Sequence, residues 1–133
     1  MILVDTSVLI DFLKGNSNRK TDLFVAILDK GLPFGINNFI YQELLQGCRT
    51  LRDFMLLRSY LGNQKFYDFK SGRDSYADAA MIYFKLRKKG ITIRSTIDCL
   101  IAQMTIENNL YLLHNDNDFT QISDIIPMKI WEG

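Results

Sequence analysis

The sequence predicts an α/β domain in which short parallel strands are covered by helices on both faces. Two observations carry this. Ile2-Leu3-Val4 and Leu110-Tyr111-Leu112-Leu113 are compact apolar runs, the pattern of strands buried on both sides. Between such runs lie amphipathic segments with helix caps, and strands that alternate with helices build a parallel sheet. No repeat, low-complexity stretch or Pro/Gly/Ser-rich linker interrupts the chain, so residues 1–133 are expected to form a single domain.

In chain order, Ile2–Val4 ends in Asp5-Thr6-Ser7, residue types that cap a helix, here over Val8 to Leu13. Ser17 or Asn18 can cap a second helix, with Leu23, Phe24, Ile27 and Leu28 at core spacing and Gly31 closing it. Leu32 to Ile36 is a second strand. Asn37-Asn38 caps the helix that follows, where Ile40, Leu44 and Leu45 share a face and Glu43 stands in the first turns. The helix from Leu51 to Leu61 carries more apolar residues than one buried stripe uses, so it buries two faces or offers one to a partner. Lys65 to Phe69 alternates as a short strand. A long helix from Ser75 to Lys89 stops at Gly90. Thr96-Ile97-Asp98 opens another that runs through Glu107 to Asn108-Asn109, and Met128 to Ile130 is a last short strand.

With 47% hydrophobic and 23% charged residues, the chain has a globular composition. At 133 residues it can bury roughly 65–70% of its unfolded surface. Sixteen basic and fifteen acidic side chains leave a charge of +1, which excludes a bulk polycationic nucleic-acid binder and requires any basic contacts to be local. The start of the sequence has no basic leader, and no apolar run approaches the ~18 residues of a membrane span. Cys48 and Cys99 lack metal-ligand spacing and suit a reducing compartment. A cytoplasmic protein without membrane contact is expected.

The chemistry lies in carboxylates. Asp5 and Asp116 each follow an apolar strand, and Asp98 stands at a helix start. In a parallel sheet, strand C-ends and helix N-ends share one edge, where Glu43 also falls. Like charges gathered there at ~4 Å repel by kilocalories unless a cation joins them. Oxygen-only donors favour Mg²⁺, with Mn²⁺ as the other candidate, over Zn²⁺. Such an ion activates a water and stabilises a phosphoryl centre, so phosphodiester hydrolysis fits. Taken singly, Asp98 is equally well read as a helix cap and Glu43 as a solvated helix residue. Asp5, directly behind a buried strand, is costly unless something satisfies it.

These residues sit in four ordered motifs. Val4-Asp5-Thr6-Ser7-Val8-Leu9-Ile10-Asp11 resembles the opening of PIN-domain proteins, and Tyr41-Gln42-Glu43-Leu44-Leu45-Gln46-Gly47 resembles their acidic helix. Asp98-Cys99-Leu100-Ile101-Ala102 and Leu113-His114-Asn115-Asp116-Asn117-Asp118-Phe119 are similar to the third and fourth motifs. In so short a chain this order resembles the VapC toxins of bacterial toxin-antitoxin pairs. The resemblance implies a three-layer α/β/α PIN-like domain and a Mg²⁺-dependent endoribonuclease that forms a homodimer and is silenced by a cognate antitoxin. It also implies that Asp5, Glu43 and Asp98 bind the metal, with Asp116 as the fourth acid, a role Asp118 could share. Thr6, Ser7 and Asn115 would orient carboxylates or water, although helix capping accounts equally well for the two hydroxyls.

Around this set, His114 is better read as a strand end than as a general base, because a metal can activate water without it. Arg94, four residues before Asp98, is the candidate RNA-phosphate contact. The basic cluster Lys85 to Lys89 reads as a solvated helix end complementing its dipole, and Phe66, Tyr67 and Phe69 read as core. Aspartyl-phosphate phosphatases want a second aspartate where Ser7 stands, and receiver domains want a lysine after a late strand that has no counterpart here. The remaining alternative is a catalytically inert PIN-fold interaction module, against which the four retained carboxylates argue.

Overall fold

The computed structural model describes residues 1–133. Its strands are β1 (Ile2–Val4), β2 (Phe34–Asn37), β3 (Lys65–Tyr67), β4 (Tyr111–Leu113) and β5 (Lys129–Ile130). Its helices are α1 (Thr6–Leu13), α2 (Arg19–Lys30), α3 (Asn38–Gln46), α4 (Leu51–Gly62), α5 (Arg73–Lys88), α6 (Thr96–Glu107) and α7 (Asn117–Ile125). The strands form one parallel sheet in the order β3-β2-β1-β4-β5. Ile2 pairs with Phe34 on one side and with Tyr111 on the other. β1 is therefore central, and its three residues are all buried, which is why its sequence is a continuous apolar run.

From β1 the chain steps outward through β2 to β3, then crosses back to lay β4 against the free side of β1. Right-handed crossovers put α1 to α4 on one face and α5 to α7 on the other, and the helices pack together in those two groups. This is the expected three-layer α/β/α arrangement. The reversal of direction between β1 and β4 opens a crevice at their carboxyl ends, the usual ligand position in such sheets.

Local chemistry sets the element ends. Asp5, Asn18, Asn37, Thr50, Ser95 and Asp116 each accept a backbone N–H at a helix start. Of the two candidates for α2, the cap is Asn18, which forms a reciprocal box with Thr21. Gly31 takes φ 63° to close that helix. Gly35 has a different reason to be glycine: a Cβ there would lie 2.6 Å from the Lys65 carbonyl oxygen and 2.6 Å from the Tyr67 ring.

Three features depart from the sequence pattern. β2 begins at Phe34 rather than Leu32, since Pro33 has no N–H for the ladder. β3 stops at Tyr67, and Phe69 leaves the sheet to meet Phe39 and Tyr76 at ring distances of 6.1 and 5.0 Å. α7 is an element the sequence reading leaves out, a nine-residue helix that buries Asp118, Phe119 and Ile122. The two-faced burial open to α4 is not found: Leu61 is its one buried residue, while Leu51 is 76% and Leu56 61% exposed. No helix is long and apolar enough to cross a membrane.

Candidate metal centre

Asp5 leaves the end of β1 as the cap of α1 and is 5% exposed. Its Oδ2 accepts the Ser7 amide at 3.0 Å and the Ser7 hydroxyl at 2.7 Å. Burial pushes its carboxyl up to about 6, against the pull of the Ser7 hydrogen bonds and with a smaller push from the Glu43 charge. Glu43 comes from the facing side, on α3, where the Thr6 hydroxyl donates to its Oε1 at 3.1 Å. Thr6 and Ser7 thus each hold a different acid.

Asp98 is the third residue of α6, whose cap is Ser95, with Oγ 3.2 Å from the Ile97 amide. The capping role open to Asp98 from sequence is filled by another residue, and its carboxylate points into the crevice group instead. One oxygen each from Asp98, Asp116 and Asp118 lies within 4.8 Å of the others. Burial raises Asp98 to about 8, reinforced by a proton shared with Asp118 and by the charges of Asp116, Asp5 and Asp118. That upward push overrides the favourable end of the α6 dipole, which by itself would stabilise an anion.

Asp116 and Asp118 play different structural parts. Asp116 is half-buried and caps α7, its Oδ1 accepting the Asp118 amide at 2.9 Å. Asp118 is buried, and its Oδ2 accepts the Arg94 amide at 3.3 Å. The Arg94 guanidinium lies largely in solvent, with Nε 3.8 Å from Asp118 Oδ1. The exposed end of Arg94 stands beside the acids while its backbone amide donates to Asp118. Sequence spacing misses this second contact, because it depends on how α7 lies against the loop before α6.

The donor set suits a hard cation. Octahedral oxygen ligands at ~2.1 Å stand roughly 3–4 Å apart, and the three aspartate oxygens lie within 4.8 Å of one another. The nearby softer groups are withheld. His114 is 4% exposed, and its Nδ1 accepts the Asp116 amide at 3.2 Å. Burial and the Lys20 charge lower its pKa to about 4, so it is neutral at physiological pH. Cys99 is pushed up to about 11 by burial and by the charges of Asp98 and Asp118, so it stays a thiol. An ion here would meet Asp98, Asp116 and Asp118 directly, with Asp5 and Glu43 on the facing side.

Ser7 locks the two halves together: the hydroxyl that donates to Asp5 also accepts the Asn115 amide at 2.8 Å. It is the backbone of Asn115 that contributes this bond. The other residues considered from sequence lie outside the cluster. Lys85, Arg87 and Lys88 sit in the last turn of α5, and Phe66 packs edge-on against Tyr41 at 5.4 Å.

The family model described as PIN domain matches residues 2–125. The chain is 27% identical over 130 residues to Ribonuclease VapC11 of Mycobacterium tuberculosis, covering 97% of this chain and 96% of that protein. A VapC ribonuclease of Mycobacterium bovis matches to the same extent, 27% over 130 residues, with 97% and 96% covered. Among solved structures, VapBC2 from Rickettsia felis bound to a promoter DNA fragment aligns with a TM-score of 0.75 at 18% identity, covering 98% of each chain. FitAcB from Neisseria gonorrhoeae aligns at 0.70 and 20% identity, covering 98% of this chain and 96% of its own. At those identities the structures speak to fold alone. A family match that spans nearly the whole sequence, with its motif acids facing one crevice, makes this chain a member of the PIN-domain family.

Proposed function

We propose that this chain is a metal-dependent endoribonuclease that hydrolyses RNA phosphodiester bonds, with Mg²⁺ or Mn²⁺ as its ion, and that it is the toxin of a toxin-antitoxin pair. The observation that carries the reading is the group Asp98, Asp116 and Asp118, with oxygens within 4.8 Å, beside buried Asp5 at the sheet's carboxyl edge. Similarity to the VapC ribonucleases supports RNA as substrate, and the VapBC complexes among the solved structures support an antitoxin partner.

When bound, the ion would supply an activated water and charge stabilisation at phosphorus. The chain's own groups do the rest. Asp98, Asp116 and Asp118 would hold the ion together with Asp5, with Ser7 keeping Asp5 in place and Thr6 holding Glu43. Arg94, tethered at Asp118, reaches a phosphate oxygen of the strand. The work is done as a single domain in the cytoplasm, where RNA substrates are found.

Partners need apolar surface, and α4 supplies it. Leu51, Met55, Leu56 and Tyr60 are exposed there. With α1 and α3, the helix also walls a groove of about 850 Å³ lined by Ile10, Leu13, Leu44 and Leu57. This surface supports a homodimer, and the groove has room for a partner helix.

The test is cleavage of labelled single-stranded RNA. Activity should require Mg²⁺ or Mn²⁺, and Asp5→Asn, Asp98→Asn and Glu43→Gln should each lower it at least ~100-fold. Comparing Asp116→Asn with Asp118→Asn decides which is the fourth acid. Undiminished activity in excess chelator would overturn the reading.

A further inference from the structure

Next to the acids lies a second concavity that hydrolysis leaves unused. It holds about 340 Å³, and of its nine lining residues only Ile130 is hydrophobic. Asp116 belongs both to its wall and to the acidic group, so the two adjoin at that residue. Lys20, from the first turn of α2, faces Thr120 and Ser123 of α7 across it, with His114 at the end of β4.

His114 is the telling residue. It is 96% buried by its 4% exposure, and its ring is held 5.3 Å from that of Phe119. Nδ1 accepts the Asp116 amide, which a doubly protonated ring could not do, so the ring proton sits on Nε2. That N–H has no protein acceptor, since the Asp116 contact is the one hydrogen bond the side chain makes. A donor fixed on a buried ring, with no partner in the protein, thus lines a polar pocket beside the candidate metal centre.

The lining decides what fits. An apolar ligand would find one hydrophobic side chain, and a bare anion would meet Asp116 and Glu132 as well as Lys20. Donors and acceptors in one small space match the edge of a nucleobase, and RNA-binding sites read sequence from unpaired bases in this way. We propose that this pocket takes one unpaired base of the RNA whose neighbouring phosphate lies on the acids, with His114 Nε2–H and Thr120 reading the base edge and Lys20 reaching the backbone. The pocket then sets which base is preferred at a fixed distance from the cleaved bond. This rests on the ribonuclease reading above.

Two arms test it. In the first, the full-length protein in excess chelator is titrated with the four trinucleotides ApNpA, and the His114 ring nitrogens and the Thr120 and Ser123 amides are followed by NMR. One base should shift these signals more than the others, and the surface variant Thr120→Val should remove the difference, whereas Lys20→Met should weaken binding of all four alike. Equal or absent shifts for all four overturn the proposal. In the second, a random-sequence RNA pool is cut with Mn²⁺ present and the ends are sequenced. The wild type should show a base preference at one position, which Thr120→Val reduces about tenfold. Cleavage with the preference intact in Thr120→Val overturns the pocket and leaves the ribonuclease reading standing. No cleavage by the wild type overturns that reading instead, and the trinucleotide shifts then decide whether the pocket binds a base.

Discussion

Ser7 bonds to Asn115, 108 positions away in sequence, through the same hydroxyl that it donates to Asp5. One oxygen thereby ties the loop after β1 to the loop after β4 and holds the acid between them. Ser7→Ala should weaken Mn²⁺ binding ~10–100-fold, the usual cost of losing a group that orients a ligand. It should also push the Asp5 carboxyl above about 6, because the lost hydroxyl hydrogen bond favours its charged form. Calorimetric titration with Mn²⁺ reads the first effect, and unchanged affinity would remove Ser7 from the centre.

The metal-free protein should gain stability on mild acidification. A carboxyl whose folded pKa is raised contributes its full stability below the unfolded value and loses it as pH rises through the folded one. For Asp98 that window runs from 3.8 to about 8, and for Asp5 from 3.8 to about 6. In chelator the melting temperature should therefore fall between pH 5 and pH 8. Asp98→Asn should flatten most of the fall, and Mg²⁺ should stabilise the wild type far more than this variant. A flat wild-type profile would mean that Asp98 and Asp5 are neither desolvated nor crowded by like charge.

The exposed face of α4 separates folding from association. Met55 and Leu56 are 50% and 61% exposed, so replacing both with glutamate should cost the monomer little stability. The same change should abolish self-association measured by light scattering at micromolar concentration, because it puts charge into an apolar interface. A wild-type monomer at that concentration would refute the proposed dimer.

Gly35→Ala tests the β2–β3 contact. The added methyl would stand 2.6 Å from backbone at Lys65 as well as from the Tyr67 ring, and a carbonyl in a ladder cannot step aside. A loss of about 2 kcal/mol in denaturant unfolding is expected, within the usual range for overpacking. A neutral substitution would show that β3 is loosely held.

The sequence by itself determined the layer architecture, because apolar runs, caps and glycine stops are local signals that each segment carries alone. It also determined that Asp5 and Asp116 share an edge, since strand direction in a parallel sheet leaves no other choice. Only the tertiary structure decided that Asp118 is buried beside Asp98, that Ser95 rather than Asp98 caps α6, and that α4 shows its apolar side to solvent. Each of these turns on how segments far apart in the chain pack together. α7 escaped the sequence reading for the same reason: it is held by burying Phe119 and Ile122 against the assembled layers rather than by propensity. Burial also sets the protonation of His114 and Asp98, and burial is a property of the assembled layers that no single stretch of sequence contains.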